Sequence, residues 1–390
     1  MKNPFKVFSH QQDQKTQTHL KIVLSAQYFM FFGIMGIALP YFNLYCYHKK
    51  LSGLEIGIIG SSRSLLIILF SLIWGVLADR YQNRRFLYIL CQFLGACFCT
   101  LYLFADSFVS ILCVTIIVSI FYAPLISFME AFTMDLVGDN KHAYGNIRLW
   151  GSIQFILMVL IVGELLNHFP YFIIIQMIVF GYFIQAFVAI TVPPSQKKKK
   201  KIKKTSLIVF KKKNLILYLA SSFLMLVSHG TYYAFSSIHL ELLGAKSNEI
   251  AIYWALGSIA EIFVMFNSNR IFKRFQVESV LLFSVIIAAI RWLLMFYTTK
   301  VWYIIIIQLL HAFTYGTFHI AGILYIDRCM SENTKTTGQA VNNAVSYGLG
   351  LMTGSFINGY LFEAVGTHHA FIFSAIVAVL AGGILLGMNK

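Results

Sequence analysis

The chain has 390 residues, of which 58% are hydrophobic and only 12% are charged, and its mean hydropathy is +0.73. A soluble protein of this length needs more charged groups to cover its surface. The formal net charge of +16 suggests a nucleic-acid partner, but most of the positive residues lie in short segments outside the apolar runs. We therefore expect an integral membrane protein whose partner is the lipid bilayer, with no nucleic acid bound.

Twelve apolar runs follow one another along the chain, each close to the ~20 residues that a helix needs to cross the hydrocarbon core. They cover residues 20–46, 54–78, 86–105, 108–134, 146–166, 171–192, 214–240, 248–269, 277–298, 301–326, 336–361 and 368–388. Their number and length predict an all-α membrane protein with twelve transmembrane helices.

Lysine and arginine are distributed unevenly among the segments that join these runs. Twenty-four of them fall on the side that holds both chain ends, and four fall on the opposite side. Cytoplasmic loops of membrane proteins carry such an excess of positive charge. We therefore predict a multi-pass protein of the cell membrane with both termini in the cytoplasm.

A lysine-rich segment interrupts the apolar rhythm after the sixth run. Residues 193–213 read PPSQKKKKKIKKTSLIVFKKK, which cannot form a packed core and suits the anionic inner leaflet. We predict a cytoplasmic linker here, either topogenic or a specific regulatory site. It would join an N-terminal six-helix half at 1–192 to a C-terminal six-helix half at 214–390. A basic loop at 269–275 follows the second run of the C-terminal half. It is similar to the basic loop that follows the second run of the N-terminal half.

The loop after the second run carries Gly75, Asp79, Arg80 and Arg84 in a very short stretch. Charges in so short a loop must contact the ends of neighbouring helices, which suits a conformational latch. With Arg85, the pattern resembles the loop between helices two and three of the major facilitator superfamily. This resemblance implies a secondary transporter that holds its solute near the middle of the membrane, between two halves.

Ionisable side chains inside apolar runs are costly and usually mark function. Arg63 is one such residue, and Glu130 and Arg148 form a second candidate group. A guanidinium offers a planar fork to hydroxyls or a carboxylate, and a carboxylate accepts from hydroxyls. We predict that Glu130 and Arg148 bind the solute. The alternative for Arg148, about one turn into its run, is that it extends to the cytoplasmic surface.

A longer motif supports the first interpretation. Residues 144–155 read YGNIRLWGSIQF and end at Phe155, and they resemble the start of the fifth span in the phenylpropionate permease-like branch of the superfamily. The separation of Glu130 from Arg148 also resembles that of the paired sugar-binding residues in lactose permease-type proton symporters. The resemblance places Phe155 with Glu130 and Arg148 among the substrate-binding residues.

Glu261, Arg291 and His311 lie inside runs of the second half. The spacing of Arg291 and His311 resembles that of the proton-handling cluster in lactose permease relatives, and Thr314 stands where those relatives have a carboxylate. Because threonine cannot hold the coupling proton, either Glu261 or His311 does so or coupling uses another route. A simple packing role for His311 is the alternative.

Tyr315 belongs to a polar and aromatic stripe in the tenth run. It shares one helical face with His311, Phe318 and Gly322. Such a face suits either a solute-lining helix, with Tyr315 as a substrate-binding residue, or close helix packing.

The resemblance implies a proton-coupled symporter that takes up a small polar or amphipathic solute, such as a sugar, a nucleoside or an aromatic acid, and we expect it to act as a monomer. The chain has no phosphate-binding loop ending in Gly-Lys-Ser/Thr, and we expect no enzyme activity, cofactor or metal site. One alternative is a drug/proton antiporter, although 151–166 lacks the Gly-rich, Pro-containing signature of that class. A non-transporting membrane sensor is the other.

Overall fold

The computed structural model describes residues 4–138, 141–192, 212–331 and 334–389. The predicted lysine-rich linker lies, as far as residue 211, outside these residues. The described chain is a succession of long helices with short connections.

The described residues form eleven apolar helical stretches, and the last of them divides into two, which gives twelve spans. They are, in chain order, Gln17–His48, Gly53–Tyr81, Arg84–Phe104, Phe108–Val137, Ala143–Leu165, Ile173–Ala189, Lys213–Leu242, Ser247–Arg274, Val277–Tyr297, Val301–Cys329 and the two parts of Lys335–Leu386. Gly366 divides the last stretch with a φ of 80°, a conformation that favours glycine. The predicted all-α fold with twelve transmembrane helices is confirmed.

Four of the spans are interrupted within the bundle. Pro124 breaks span 4, because proline cannot donate the helical hydrogen bond. The other interruptions are His229 in span 7, the π-helical turn Ala312–Thr317 in span 10 and the π-helical turn Ala344–Gly350 in span 11. Single π-helical turns are frequent at functional sites. The helical pieces around the breaks are Phe108–Tyr122 and Leu125–Val137, Lys213–Ser228 and Gly230–Leu242, Val301–Ile307 and Phe318–Cys329, and Lys335–Asn343 followed by the helix from Leu351.

Spans 1–6 and spans 7–12 meet at one end of the bundle. We call the end where span 1 begins and span 12 ends the terminal side, and the opposite end the far side. At the far side His48 Nε2 lies 2.7 Å from Glu241 Oε1, and the Tyr171 hydroxyl donates to Glu241 at 3.0 Å. Asn43 also donates to the backbone oxygen of Ala234 at 2.9 Å. Among the described residues, no hydrogen bond or ion pair joins the two groups of spans at the terminal side.

Glycine allows the helix backbones of the two groups to touch near the far side. A Cβ atom on Gly57 of span 2 would lie 2.7 Å from the backbone oxygen of Ser355 and 2.9 Å from Gly359 Cα, both in span 11. A Cβ on Gly163 of span 5 would lie 2.4 Å from the Cβ of Ala251 in span 8. The two groups of spans are therefore in close contact at the far side, whereas toward the terminal side the side chains of Arg148 and Glu130 are 39% and 46% exposed.

Candidate functional site

Arg291 of span 9 is at the centre of a polar cluster and is 0% exposed. Its Nη1 donates to His311 Nδ1 at 2.9 Å and to Thr314 Oγ1 at 3.0 Å, and its Nη2 donates to Gln308 Oε1 at 2.6 Å. The guanidinium also lies over the Tyr232 ring, 4.6 Å from its centroid, as a cation–π contact. All these acceptors are neutral, so the balancing negative charge must come from further along the network.

His311 connects Arg291 to Glu261 of span 8. His311 Nε2 lies 2.7 Å from Glu261 Oε1. Because a guanidinium N–H can only donate, His311 Nδ1 must accept and the ring proton is on Nε2, facing the carboxylate. A second ring proton would place an N–H of His311 against an N–H of Arg291. The ring is therefore neutral in this arrangement, and Glu261 balances Arg291 through it.

Tyr315 continues this cluster toward the terminal side. Its ring lies nearly parallel to those of His311 and His319, with centroids 5.3 Å and 6.0 Å away. The Tyr347 hydroxyl lies 2.6 Å from His319 Nδ1. Tyr315 and His319 are both partly exposed. A polar and aromatic wall thus leads from the buried cluster to the open side of the bundle.

Glu130 and Arg148 are brought together on the other group of spans. Arg148 Nη1 lies 3.8 Å from Glu130 Oε1, and the two side chains are 39% and 46% exposed. The Arg148 guanidinium also lies 5.5 Å from the centroid of the Phe32 ring. Arg148 is within electrostatic range of Tyr315 and His319 across the bundle. Among the described residues, no hydrogen bond joins Arg148 to Tyr315 or His319.

Phe155 does not share that exposed position. It is buried and packs against Gly36 of span 1, where a Cβ atom would lie 2.6 Å from the Phe155 backbone oxygen. The structure thus places Phe155 in the core of the first group of spans, and its predicted contact with the solute stays a prediction.

The residues predicted to form a latch are at the terminal end of span 2. Asp79 and Arg80 are exposed, and neither makes an ion pair with another described residue. Arg84 Nη1 lies 3.5 Å from Asp135 at the end of span 4. A Cβ atom on Gly75 would meet no described atom within 4 Å. In this conformation Arg84 pairs within its own group of spans. The Asp79 carboxylate has no ion-pair partner among the described residues.

Gln308 is a member of the buried cluster that the sequence analysis missed. It accepts from Arg291 and its Nε2 donates to the Tyr232 hydroxyl at 2.8 Å. Gly257 makes room for it, because a Cβ atom there would lie 2.4 Å from Gln308 Nε2. The available signal was an uncharged amide inside an apolar run, three residues before His311.

Comparisons with known proteins agree with this architecture. Residues 21–373 match the MFS_1 like family. The probable 3-phenylpropionic acid transporter of Escherichia coli (strain K12) is 28% identical over 369 residues, which cover 92% of this chain and 95% of that protein. The maltose permease of Geobacillus stearothermophilus is 24% identical over 376 residues, which cover 95% of each chain.

Solved structures show the same fold. The nucleoside transporter NupG matches with a TM-score of 0.84 at 18% identity, over 95% of this chain and 99% of that one. A bacterial homologue of the human lysosomal transporter Spinster, in an inward-facing and unoccupied conformation, matches with a TM-score of 0.71 at 16% identity, over 95% and 96%. The chain therefore belongs to the MFS_1 like family of major facilitator permeases, and it is a multi-pass secondary transporter and not an enzyme.

Proposed function

We propose that this transporter takes up a small polar or amphipathic solute, such as a sugar, a nucleoside or an aromatic acid, together with protons across the cell membrane. The observation that carries the proposal is the Glu261–His311–Arg291 chain. In this chain, the Glu261 carboxylate compensates the positive charge of the fully buried Arg291 guanidinium. The neutral His311 ring lies between the two groups. A group of that kind can be poised between its protonation states by burial and by the nearby positive charge.

Glu261 is the proton carrier in this proposal. His311 accepts from Arg291 and already holds its one ring proton toward Glu261, so a further proton on the ring breaks the bond to Arg291. A proton on the Glu261 carboxylate leaves that bond in place. The local geometry therefore favours Glu261 over His311, the two carriers that the sequence left open.

Glu130 and Arg148 engage the solute in the proposed site. Their loose pairing and their exposure leave hydrogen-bonding positions for hydroxyls or a carboxylate. Tyr315 faces them from the second group of spans and supplies a flat aromatic surface. A solute between these walls contacts both groups of spans, which is the position that alternating access requires.

The transport cycle is proposed to move the half formed by residues 1–192 against the half formed by residues 214–390. With both termini in the cytoplasm, the conformation described here is open to the cytoplasm and closed to the outside. The Asp79 and Arg80 loop then forms its latch contacts when the terminal side closes. We propose that one chain completes this cycle as a monomer.

The test is uptake into membrane vesicles under an imposed inward proton gradient. The Glu261→Gln variant mimics the protonated carboxyl, so it should exchange internal for external solute but should not accumulate solute against a gradient. Glu249→Gln, in the first turn of the same helix, is the matched control and should accumulate normally, because Gln serves that capping position as well as Glu does. Normal accumulation by Glu261→Gln, together with its loss on replacing His311, would move the proton to His311. Accumulation that neither change affects would refute proton coupling at this cluster.

A further inference from the structure

Arg63 is an ionisable residue in the middle of span 2 that the proposed mechanism does not use. Residues eleven apart lie on the same face of a helix, because each residue turns the helix by about 100°. Arg63 therefore lies on the same face as Trp74. The Trp74 Nε1 donates to the backbone oxygen of Ile120 in span 4. Leu72 and Val76, which are 62% and 68% exposed, lie on the opposite face. Arg63 therefore points into the bundle and away from lipid.

The surroundings of Arg63 are aromatic and carry hydroxyl groups. Its Cζ lies 5.4 Å from the centroid of the Tyr122 ring, just before the break in span 4. The side chains of Tyr102 and Tyr182 are within its electrostatic range. Arg63 and Tyr122 are both partly exposed. No carboxylate of the described chain lies within ion-pair distance of Arg63, so its charge lacks a fixed partner.

A charge count over the described spans identifies Arg63 as the unbalanced group. Three guanidinium groups and two carboxylates lie at least five residues from either end of a span, which leaves a net charge of +1. The five residues are Arg63, Glu130, Arg148, Glu261 and Arg291. Glu130 faces Arg148, and Glu261 balances Arg291 through His311. The excess charge therefore belongs to Arg63, and an unpaired charge in the membrane interior is costly.

We propose that Arg63 binds the anionic group of the solute, and that the solute class is therefore an organic monoanion. A carboxylate docks on the planar fork of the guanidinium in a bidentate geometry that lysine cannot reproduce. The Tyr122 ring lies against the guanidinium and orients it. This assignment rests on the proton-coupled function proposed above and narrows its substrate class.

The same charge count gives the coupling a physical basis. A proton on Glu261 raises the net charge of the core from +1 to +2, and a monoanion on Arg63 returns it to +1. The empty carrier and the carrier loaded with both ligands then have equal charge. The electrostatic cost of reorienting the empty carrier is therefore the same as that of reorienting the loaded carrier. A neutral solute leaves the proton-loaded core at +2. Proton and anion thus bind cooperatively through the electrostatics of the core.

Binding measured by calorimetry on the purified full-length protein tests the assignment. The probes are two pairs matched in shape but not in charge, benzoate with benzamide and gluconate with glucose. We expect at least one carboxylate to bind and its neutral partner to bind at least about tenfold more weakly, as expected for loss of a charge-assisted hydrogen bond. In Arg63→Gln the preference should disappear, and Arg63→Lys should show an intermediate affinity. Arg270→Gln, at an exposed arginine whose side chain donates to Asn267, should match the wild type.

Four results would overturn the assignment. Equal binding of the charged and neutral partners is one, and failure of both carboxylates to bind is another. The third is that chloride alone stabilises the wild type and that Arg63→Gln abolishes this stabilisation. That result would assign Arg63 to the binding of an inorganic anion. Proton-driven uptake of a neutral sugar that depends on Glu261 and not on Arg63 would refute the anion site while leaving the proposed function intact. Failure of the proposed proton coupling would show instead as accumulation that neither Glu261→Gln nor replacement of His311 affects.

Discussion

Arg148 lies inside a span with a side chain that is 39% exposed, and its geometry decides what it can bind. Its guanidinium lies over Phe32 and is only loosely paired with Glu130. A planar fork held in this way can meet two oxygens of a solute at once, whereas an ammonium acts as a point charge.

Arg148→Lys should therefore weaken solute binding by at least about tenfold, because each charge-assisted hydrogen bond contributes about 1.5–3 kcal/mol. Equilibrium binding of a transported solute to the purified protein measures this. Arg270→Lys, at an exposed arginine, is the matched control. If Arg148→Lys binds with unchanged affinity, Arg148 is only a charge that extends to the membrane surface.

The sequence identified the charged members of the buried cluster but not their arrangement. Glu261, Arg291 and His311 stand out because ionisable groups are rare in apolar runs. Gln308 is uncharged and lies 17 residues from Arg291 in the chain, so only the folded structure shows that they are partners. Phe155 illustrates the converse, since its place in a motif does not reveal that its backbone packs against Gly36 and that its side chain is buried.

Spans 2 and 11 pack against each other at the far side of the molecule, and this contact keeps that side closed. The two helices approach so closely that Gly57 touches the backbone at Ser355 and Gly359. Three residues further along the same helix, a Cβ on Gly60 would find only an ordinary contact, 3.5 Å from Ser355 Cβ. Alanine at Gly57 should therefore weaken the closed state of the far side, whereas alanine at Gly60 should not.

Gly57→Ala should force the two helices apart and favour the state that is open at the far side. Gly60→Ala should leave the closed state unchanged or stabilise it by up to about 1 kcal/mol, because alanine favours a helix over glycine. Reaction of a cysteine placed at Asn43 with a water-soluble reagent reports the opening. Equal reactivity in both alanine variants would show that the glycine contact does not control closure.

The turn between spans 2 and 3 makes no ion pair with the second group of spans among the described residues. Arg84 is tied to Asp135, while Asp79 makes no ion pair with another described residue. The short charged loop was evident from the sequence, but its contacts depend on which side of the molecule is closed. A latch that acts only when the terminal side closes is expected to appear open here.

Asp79→Asn should slow transport and leave the thermal stability of the conformation described here unchanged. Losing a contact that biases a two-state equilibrium by about 1–3 kcal/mol shifts the populations by about 5–150-fold. Turnover and the unfolding temperature of the same preparation distinguish the two effects, and Asp106→Asn, at an exposed far-side carboxylate paired with Lys49, is the control. Unchanged turnover in Asp79→Asn would remove the latch from the mechanism.

At the scale of the whole molecule, the sequence predicts the spans well because their length is set by the membrane itself. It does not predict which side is open, because both states of a transporter contain the same spans. That choice depends on contacts such as His48 with Glu241, which are 193 residues apart in the chain. The conformation closed at the far side is therefore a property of the folded structure alone.

The central claim is that Glu261 carries a proton with the solute, and proton movement itself is the most direct test. Purified protein is placed in liposomes that enclose a pH-sensitive dye, with no imposed gradient, and a transported solute is added outside. The account predicts that the interior acidifies with the wild type and with Glu249→Gln, but not with Glu261→Gln. Entry of labelled solute into wild-type liposomes without any acidification, or entry that requires sodium, would contradict it.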